Sequence, residues 1–210
     1  MYEKNKRNKI MPTLLILACS ISCLSNAKIS VSKGLSEADK AKKAYKEVLT
    51  DEKAAKRLSL FGSNIDGKLS RDGEFAIIDL NQDGIPEMLY TCDDKYHIDT
   101  LCYVNGRVKK IYNRASSDYE YYPNKSLCYV AWAHGGYFEF IYCKFTGKKM
   151  KVLADEYGEL LDAEPRKYTV NGKKSSYKHY KVYVKKLMKG VQVEKPQYHK
   201  NTASNRKKYL

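Results

Sequence analysis

The 210-residue chain lacks the short motifs that mark most common enzyme classes. It has no H-E-x-x-H zinc motif, no complete Walker phosphate loop, no glycine-rich dinucleotide motif and no G-x-S-x-G nucleophile elbow. No two cysteines stand at C-x-x-C spacing, so zinc held by cysteines is not indicated. The sequence therefore favours a binding or structural role over catalysis.

Long hydrophobic runs are also absent, and the first 27 residues have the pattern of a targeting segment. Four basic residues, Lys4, Lys6, Arg7 and Lys9, precede an apolar stretch at residues 11–24 that is too short to cross a bilayer comfortably. Small residues at positions 25–27 suit signal-peptide cleavage. A second interpretation is a lipoprotein leader, because the residues Ile16-Leu17-Ala18-Cys19 resemble a bacterial lipobox with Cys19 as the lipidated residue. Both interpretations predict a protein that is secreted or lipid-anchored at the cell surface.

Cysteines are few, and export changes how they are interpreted. Outside the leader only Cys92, Cys102, Cys128 and Cys143 are present. If Gly135-Gly136 is a two-residue hairpin turn, facing residue numbers sum to 271, as 128 and 143 do. Cys128 and Cys143 would then lie within disulfide reach, while Cys92 and Cys102 flank another predicted hairpin. The alternative is that all four are buried thiols.

Acidic residues are outnumbered by basic ones, 24 against 39, which gives a formal charge of +15. This balance favours anionic partners, such as a cell-wall polymer, anionic lipid headgroups, nucleic acid or another surface ligand. Attachment to a membrane is expected only through the possible lipid anchor at Cys19. The lysines are spread along the chain and no nucleic-acid-binding motif is present, so specific nucleic-acid binding is not predicted. A solvated, lysine-rich surface is the simpler interpretation.

The most specific pattern lies in an acidic turn between two apolar runs, residues 75–80 and 88–92. Counted from Asp79, oxygen-bearing side chains stand at positions 1, 3, 5 and 9, and position 7 offers a backbone carbonyl. The predicted ligands are Asp79, Asn81, Asp83, Glu87 and, through its carbonyl, Ile85. Hard cations such as Ca²⁺ prefer such oxygen ligands, and Gly84 stands where the loop must turn sharply. The alternative is an ordinary solvated turn, because Asp, Asn and Gly are also common turn residues.

The segment FAIIDLNQDGIPE resembles the D-x-D-x-D-G-x-x-[DE] calcium loop of FG-GAP-type repeats in integrin-like propellers. It is also similar to small secreted or lipid-anchored bacterial proteins that carry a single D-x-[DN]-x-D-G-x-P-E copy. The resemblance implies Ca²⁺ as the cofactor, bound by the same five residues. Only one copy is present, so a full propeller is not expected.

The remaining pattern predicts an α+β fold. Residues 41–60 have helical spacing, residues 74–168 indicate an antiparallel β-meander, and a strand and a helix follow up to residue 189. We expect a leader at 1–27, one α+β calcium-loop domain at 28–190, and a basic, disordered tail at 191–210.

The predicted function is an exported calcium-binding module with a structural or binding role at the bacterial cell surface. The alternative is a cell-surface hydrolase with a structural calcium. Its one conceivable catalytic pair is His134 with Cys128 or Cys143.

Overall fold

The computed structural model describes residues 34–60, 73–92, 97–115, 118–159 and 166–210. The predicted leader and Cys19 lie outside these ranges. From Leu35 onward the chain forms one compact unit. The helices in the described ranges are all too short or too polar to cross a membrane.

The described residues form four α-helices and eleven strands. The helices are α1 (Glu37–Val48), α2 (Glu52–Leu58), α3 (Tyr177–Leu187) and α4 (Ala203–Tyr209). The strands are β1 (Glu74–Ile78), β2 (Glu87–Thr91), β3 (His97–Val104), β4 (Arg107–Ala115), β5 (Asp118–Tyr122), β6 (Leu127–His134), β7 (Tyr137–Phe145), β8 (Met150–Glu159), β9 (Lys167–Val170), β10 (Lys173–Ser175) and β11 (His199–Lys200).

Each of the two N-terminal helices begins after a residue whose side chain caps the helix. The Ser36 hydroxyl accepts the Asp39 N–H at 3.1 Å, and an Asp51 carboxylate oxygen accepts the Lys53 N–H at 2.8 Å. Each cap satisfies a backbone donor that the first helical turn leaves unpaired. The predicted N-terminal helical segment is therefore confirmed, as two helices.

The strands form two antiparallel sheets, and the predicted α+β class is confirmed. The first sheet has the order β11-β1-β2-β3-β4, and the second has the order β10-β9-β8-β7-β6-β5. Neighbours in sequence are neighbours in space through most of both sheets, as in a meander. The predicted meander is thus divided between two sheets at the step from β4 to β5.

Three apolar layers hold these elements together. Residues from the facing sides of the two sheets, such as Ala76, Leu89, Val130 and Ile141, form one core cluster. The outer side of the first sheet packs against α1 and α2, and the outer side of the second packs against α3. Alternate residues of β1 and β2 enter different clusters, as the two-residue period of a strand requires.

The hairpin between β6 and β7 has the predicted register. Gly135 and Gly136 form the turn, both with positive φ, and His134 lies opposite Tyr137. Cys128 consequently lies opposite Cys143. The register predicted from facing residue numbers that sum to 271 is therefore confirmed.

The prediction of a disordered tail at 191–210 is wrong. Strand β11 pairs with the edge of β1, with Phe75 opposite His199, and Glu194 forms a β-bridge with Tyr121. Tyr209 and Leu210 pack on the helical side of the first sheet. The polar composition of residues 191–210 led to the prediction of disorder. A few well-spaced apolar residues and pairing with a free sheet edge are nevertheless enough to anchor this segment.

Candidate metal centre

The acidic loop, residues 79–87, connects β1 to β2. Ile78 lies opposite Glu87, so the two strands close directly beneath the loop. Glu87 is therefore both the last residue of the sequence pattern and the first residue of a strand. The sheet thus places position 9 of the pattern next to position 1.

Asp79 organises the first half of the loop through its carboxylate. One oxygen accepts the Asp83 N–H at 3.2 Å, and the other accepts the Gly84 N–H at 2.9 Å. The backbone must curl tightly to bring those two donors back to Asp79. It does so with Gln82 and Gly84 at φ values of 58° and 80°, and at Gly84 the missing Cβ removes the usual steric cost.

Asn81 and Asp83 form the centre of the loop. One Asp83 oxygen accepts the Ile85 N–H at 2.8 Å, and the other accepts the Asn81 side-chain amide at 2.7 Å. The carbonyl oxygen of the Asn81 side chain is buried and has no hydrogen-bond partner among the described residues. A buried acceptor without a donor is unfavourable, so this atom requires an explanation.

Glu87 closes the loop from the strand side. Its side chain is nearly inaccessible, with the residue 3% exposed, and one carboxylate oxygen accepts the Leu80 N–H at 2.9 Å. The pKa of this carboxyl group is raised from its ordinary 4.5 to about 8, mainly by burial, with the nearby charges of Asp83 and Asp79 acting in the same direction. A cation close to the Glu87 carboxylate would reduce the energetic cost of burying its charged form.

The loop is supported by α1 and adjoins a small cavity. The buried Tyr45 hydroxyl donates to the Pro86 carbonyl at 2.8 Å, which ties the helix to the loop. The cavity has a volume of about 230 Å³, and its lining includes Asp83, Ile85 and Glu87. Sequence reasoning missed Tyr45, because no local pattern connects residues 41 positions apart.

The structure brings the five predicted ligand residues into one loop but does not turn their side chains toward a common point. Within the described ranges, no group of three or more His, Cys, Asp and Glu side chains is arranged to hold a metal ion. The carboxylates of Asp79, Asp83 and Glu87 instead accept backbone N–H groups. The ligand set remains a prediction.

The cysteines and histidines do not form the alternative catalytic pair. His134 lies at the turn end of β6, six residues from Cys128, which corresponds to about 20 Å along a strand. Cys143 lies opposite Cys128 and is equally distant. The structure therefore separates the base from both thiols.

Of the two predicted cysteine pairs, only one is brought together. Cys128 and Cys143 are fully buried thiols in directly opposite positions. Cys92 follows β2, whereas Cys102 lies at the other end of the β2–β3 pairing, about 17 Å away by the strand repeat. A disulfide between Cys92 and Cys102 is incompatible with this register.

Comparison of the chain with family models, with curated proteins and with solved structures gives no match.

Proposed function

We propose that this protein is an exported calcium-binding module that has a structural or binding role at the cell surface. Its calcium site is the acidic loop. The observation that supports this most directly is the buried Asn81 carbonyl oxygen, which has no partner in a loop that also contains three carboxylates. A hard cation would satisfy that atom and neutralise its neighbours at the same time.

The ligands would be the side chains of Asp79, Asn81, Asp83 and Glu87 and the backbone carbonyl of Ile85. Because Asp83 and Glu87 both line the cavity beside the loop, small rotations of their carboxylates would direct oxygens into it. Ca²⁺ tolerates such irregular oxygen sets, whereas Mg²⁺ demands a tighter octahedron. The proposal therefore includes discrimination against Mg²⁺.

Export is the second part of the proposal, and it rests on the basic and apolar pattern of residues 1–27. Modules of this type commonly bind Ca²⁺ with dissociation constants of about 10⁻⁴–10⁻³ M, which suits an extracellular medium rich in calcium. Intact-mass analysis of the exported fraction should find a chain that begins at Lys28, or a lipidated chain that begins at Cys19. A full-length product confined to the cytoplasm would contradict export.

Equilibrium dialysis tests the calcium site itself. The wild-type chain should bind one Ca²⁺, and Asp83→Ala should abolish binding because it removes a ligand. Gln82→Ala is the matched control, because Gln82 lies in the same loop, is exposed and contributes no predicted ligand. Equal calcium binding by wild type and Asp83→Ala would assign the metal to another place and overturn the proposed site.

A further inference from the structure

The last third of the protein contains a segment whose charged residues are all basic. Residues 166–193 contain nine lysines and arginines and no aspartate or glutamate. Helix α3 and strand β10 lie within this segment. None of the ion pairs between described residues includes a lysine of α3. Uncompensated charge of one sign indicates a surface that attracts an anionic partner.

Helix α3 has one packed side and one exposed, basic side. Tyr180 is buried against the second sheet, together with the partly buried Val184. The opposite side presents four lysines, and Val182 among them is 61% exposed. Val182 therefore provides an exposed apolar side chain within a lysine-rich face.

A groove with a volume of about 440 Å³ runs between α3 and the second sheet. Its apolar floor includes Leu127, Leu153 and Leu187. Its charged lining consists of three lysines, Lys125, Lys144 and Lys186, and no acidic residue contributes to it. The groove thus combines apolar contact area with positive charge.

The sheet register adds a further lysine beside this groove. Lys144 on β7 lies directly opposite Lys151 on β8, and both side chains are exposed. Like charges in opposite positions of neighbouring strands are destabilising. This arrangement does not serve the stability of the sheet, but it does suit an anionic ligand.

We propose that the groove and the exposed side of α3 bind the surface of an anionic phospholipid bilayer. The lysines would contact lipid phosphates, while Val182 and the partly buried Leu187 would contact the upper part of the acyl region. The apolar floor is the reason to choose lipid over a sugar-phosphate polymer, which has no apolar segment to fill it. The proposal does not depend on the calcium site.

Sedimentation with vesicles tests the proposal, using one set of pure phosphatidylcholine and one with about a third phosphatidylglycerol. The buffer contains a chelator, because Ca²⁺ can bridge carboxylates to anionic lipid. The groove variant is Lys144→Gln/Lys151→Gln/Lys186→Gln. The control variant, Lys43→Gln/Lys46→Gln/Lys53→Gln, removes the same charge from exposed positions on α1 and α2. Wild type and both variants carry the same residues 1–34, so any affinity of that segment for the vesicles is the same in all three proteins.

We expect the wild-type chain to bind the anionic vesicles and not the neutral ones. Each lysine in contact with an anionic surface contributes about fivefold, so the groove variant should bind about a hundredfold more weakly. The control variant should lose less than about threefold, and both variants should melt at the wild-type temperature.

Failure of the wild-type chain to bind the anionic vesicles would overturn the proposal, and so would either of two further results. One is equal loss of binding in the groove and control variants, which would indicate only a general effect of net charge. The other is binding of DNA or polyphosphate as tightly as of vesicles, abolished by the groove variant, which would show a general polyanion site in place of a lipid site.

Discussion

Two hairpins of this protein reverse the direction of the chain in different ways. The β6–β7 hairpin turns through only Gly135 and Gly136, so the backbone alone determines its geometry. The β1–β2 hairpin turns through residues 79–86, and three carboxylates must accept backbone donors to shape that loop. A short turn needs suitable backbone angles, whereas a long polar turn needs internal side-chain partners.

The two hairpins also differ in the ionisable side chains that they bury. Burial raises the pKa of the Cys128 thiol well above its ordinary value, so that group stays neutral and is well suited to the core. Glu87 is buried beside two further acids, and its charged form is therefore strongly disfavoured. In our account the β1–β2 hairpin needs a cation, and the β6–β7 hairpin can be linked by a disulfide.

The largest expected effect is that of Glu87→Gln on the metal-free protein. The pKa of Glu87 is raised in the fold, so its neutral form stabilises the fold fully below pH of about 4.5, and this contribution is lost as pH rises through about 8. The shift corresponds to a change on the order of 5 kcal/mol. In chelator, Glu87→Gln should therefore be more stable than wild type at pH 9, as measured by urea unfolding.

Saturating calcium should reverse that order, because the ionised Glu87 would then serve as a ligand that glutamine replaces poorly. The pH dependence should also flatten in wild type when calcium is bound. A variant that is less stable than wild type in both chelator and calcium would show that Glu87 has a purely structural role.

The second prediction concerns the disulfide of the other hairpin. Under oxidising conditions Cys128 and Cys143 should form a bridge, because their positions are directly opposite. A bridge that closes a loop of about 15 residues stabilises a protein by about 3 kcal/mol. Reduction should lower the stability of wild type by that amount and leave Cys128→Ala/Cys143→Ala unchanged. Peptide mapping of exported protein that finds both thiols unmodified would contradict the bridge.

The smallest expected effect is that of Gly84→Ala. A Cβ at this position would meet no atom within 4 Å, so the cost arises only from the positive φ of 80°. We expect a loss of about 1 kcal/mol in the free energy of unfolding. Gly158→Ala is the useful contrast, because there the Cβ would lie 2.5 Å from the Phe138 ring and the loss should be larger. Equal losses at the two positions would contradict the distinction between backbone strain and crowding.

Local signals in the sequence predicted much of the fold. The dipeptide Asn105-Gly106 is typical of a tight hairpin turn, and in the structure Val104 lies opposite Arg107 with both turn residues at positive φ. Ser36 and Ser176 cap α1 and α3, and serine is a common capping residue because its hydroxyl can accept a backbone N–H a few positions ahead. The register of Cys128 and Cys143 followed from the turn length alone.

Long-range features were not predictable in this way. Nothing local separates the strands into two sheets, and nothing near Tyr45 indicates that its hydroxyl reaches the carbonyl of Pro86. In the acidic loop, the pattern from Asp79 to Glu87 predicted a turn between two strands, but not the burial of the Asn81 carbonyl oxygen, which depends on packing.

Thermal melting in chelator, Ca²⁺ and Mg²⁺ tests the calcium account most directly. At a free Ca²⁺ concentration about 100-fold above the dissociation constant, binding should stabilise wild type by about 2.7 kcal/mol. Asp79→Ala should show no such gain, Gln82→Ala should keep it, and Mg²⁺ should produce little of it. A wild-type melting temperature that is the same in chelator and in calcium would contradict the account and leave the acidic loop as a turn held only by its own hydrogen bonds.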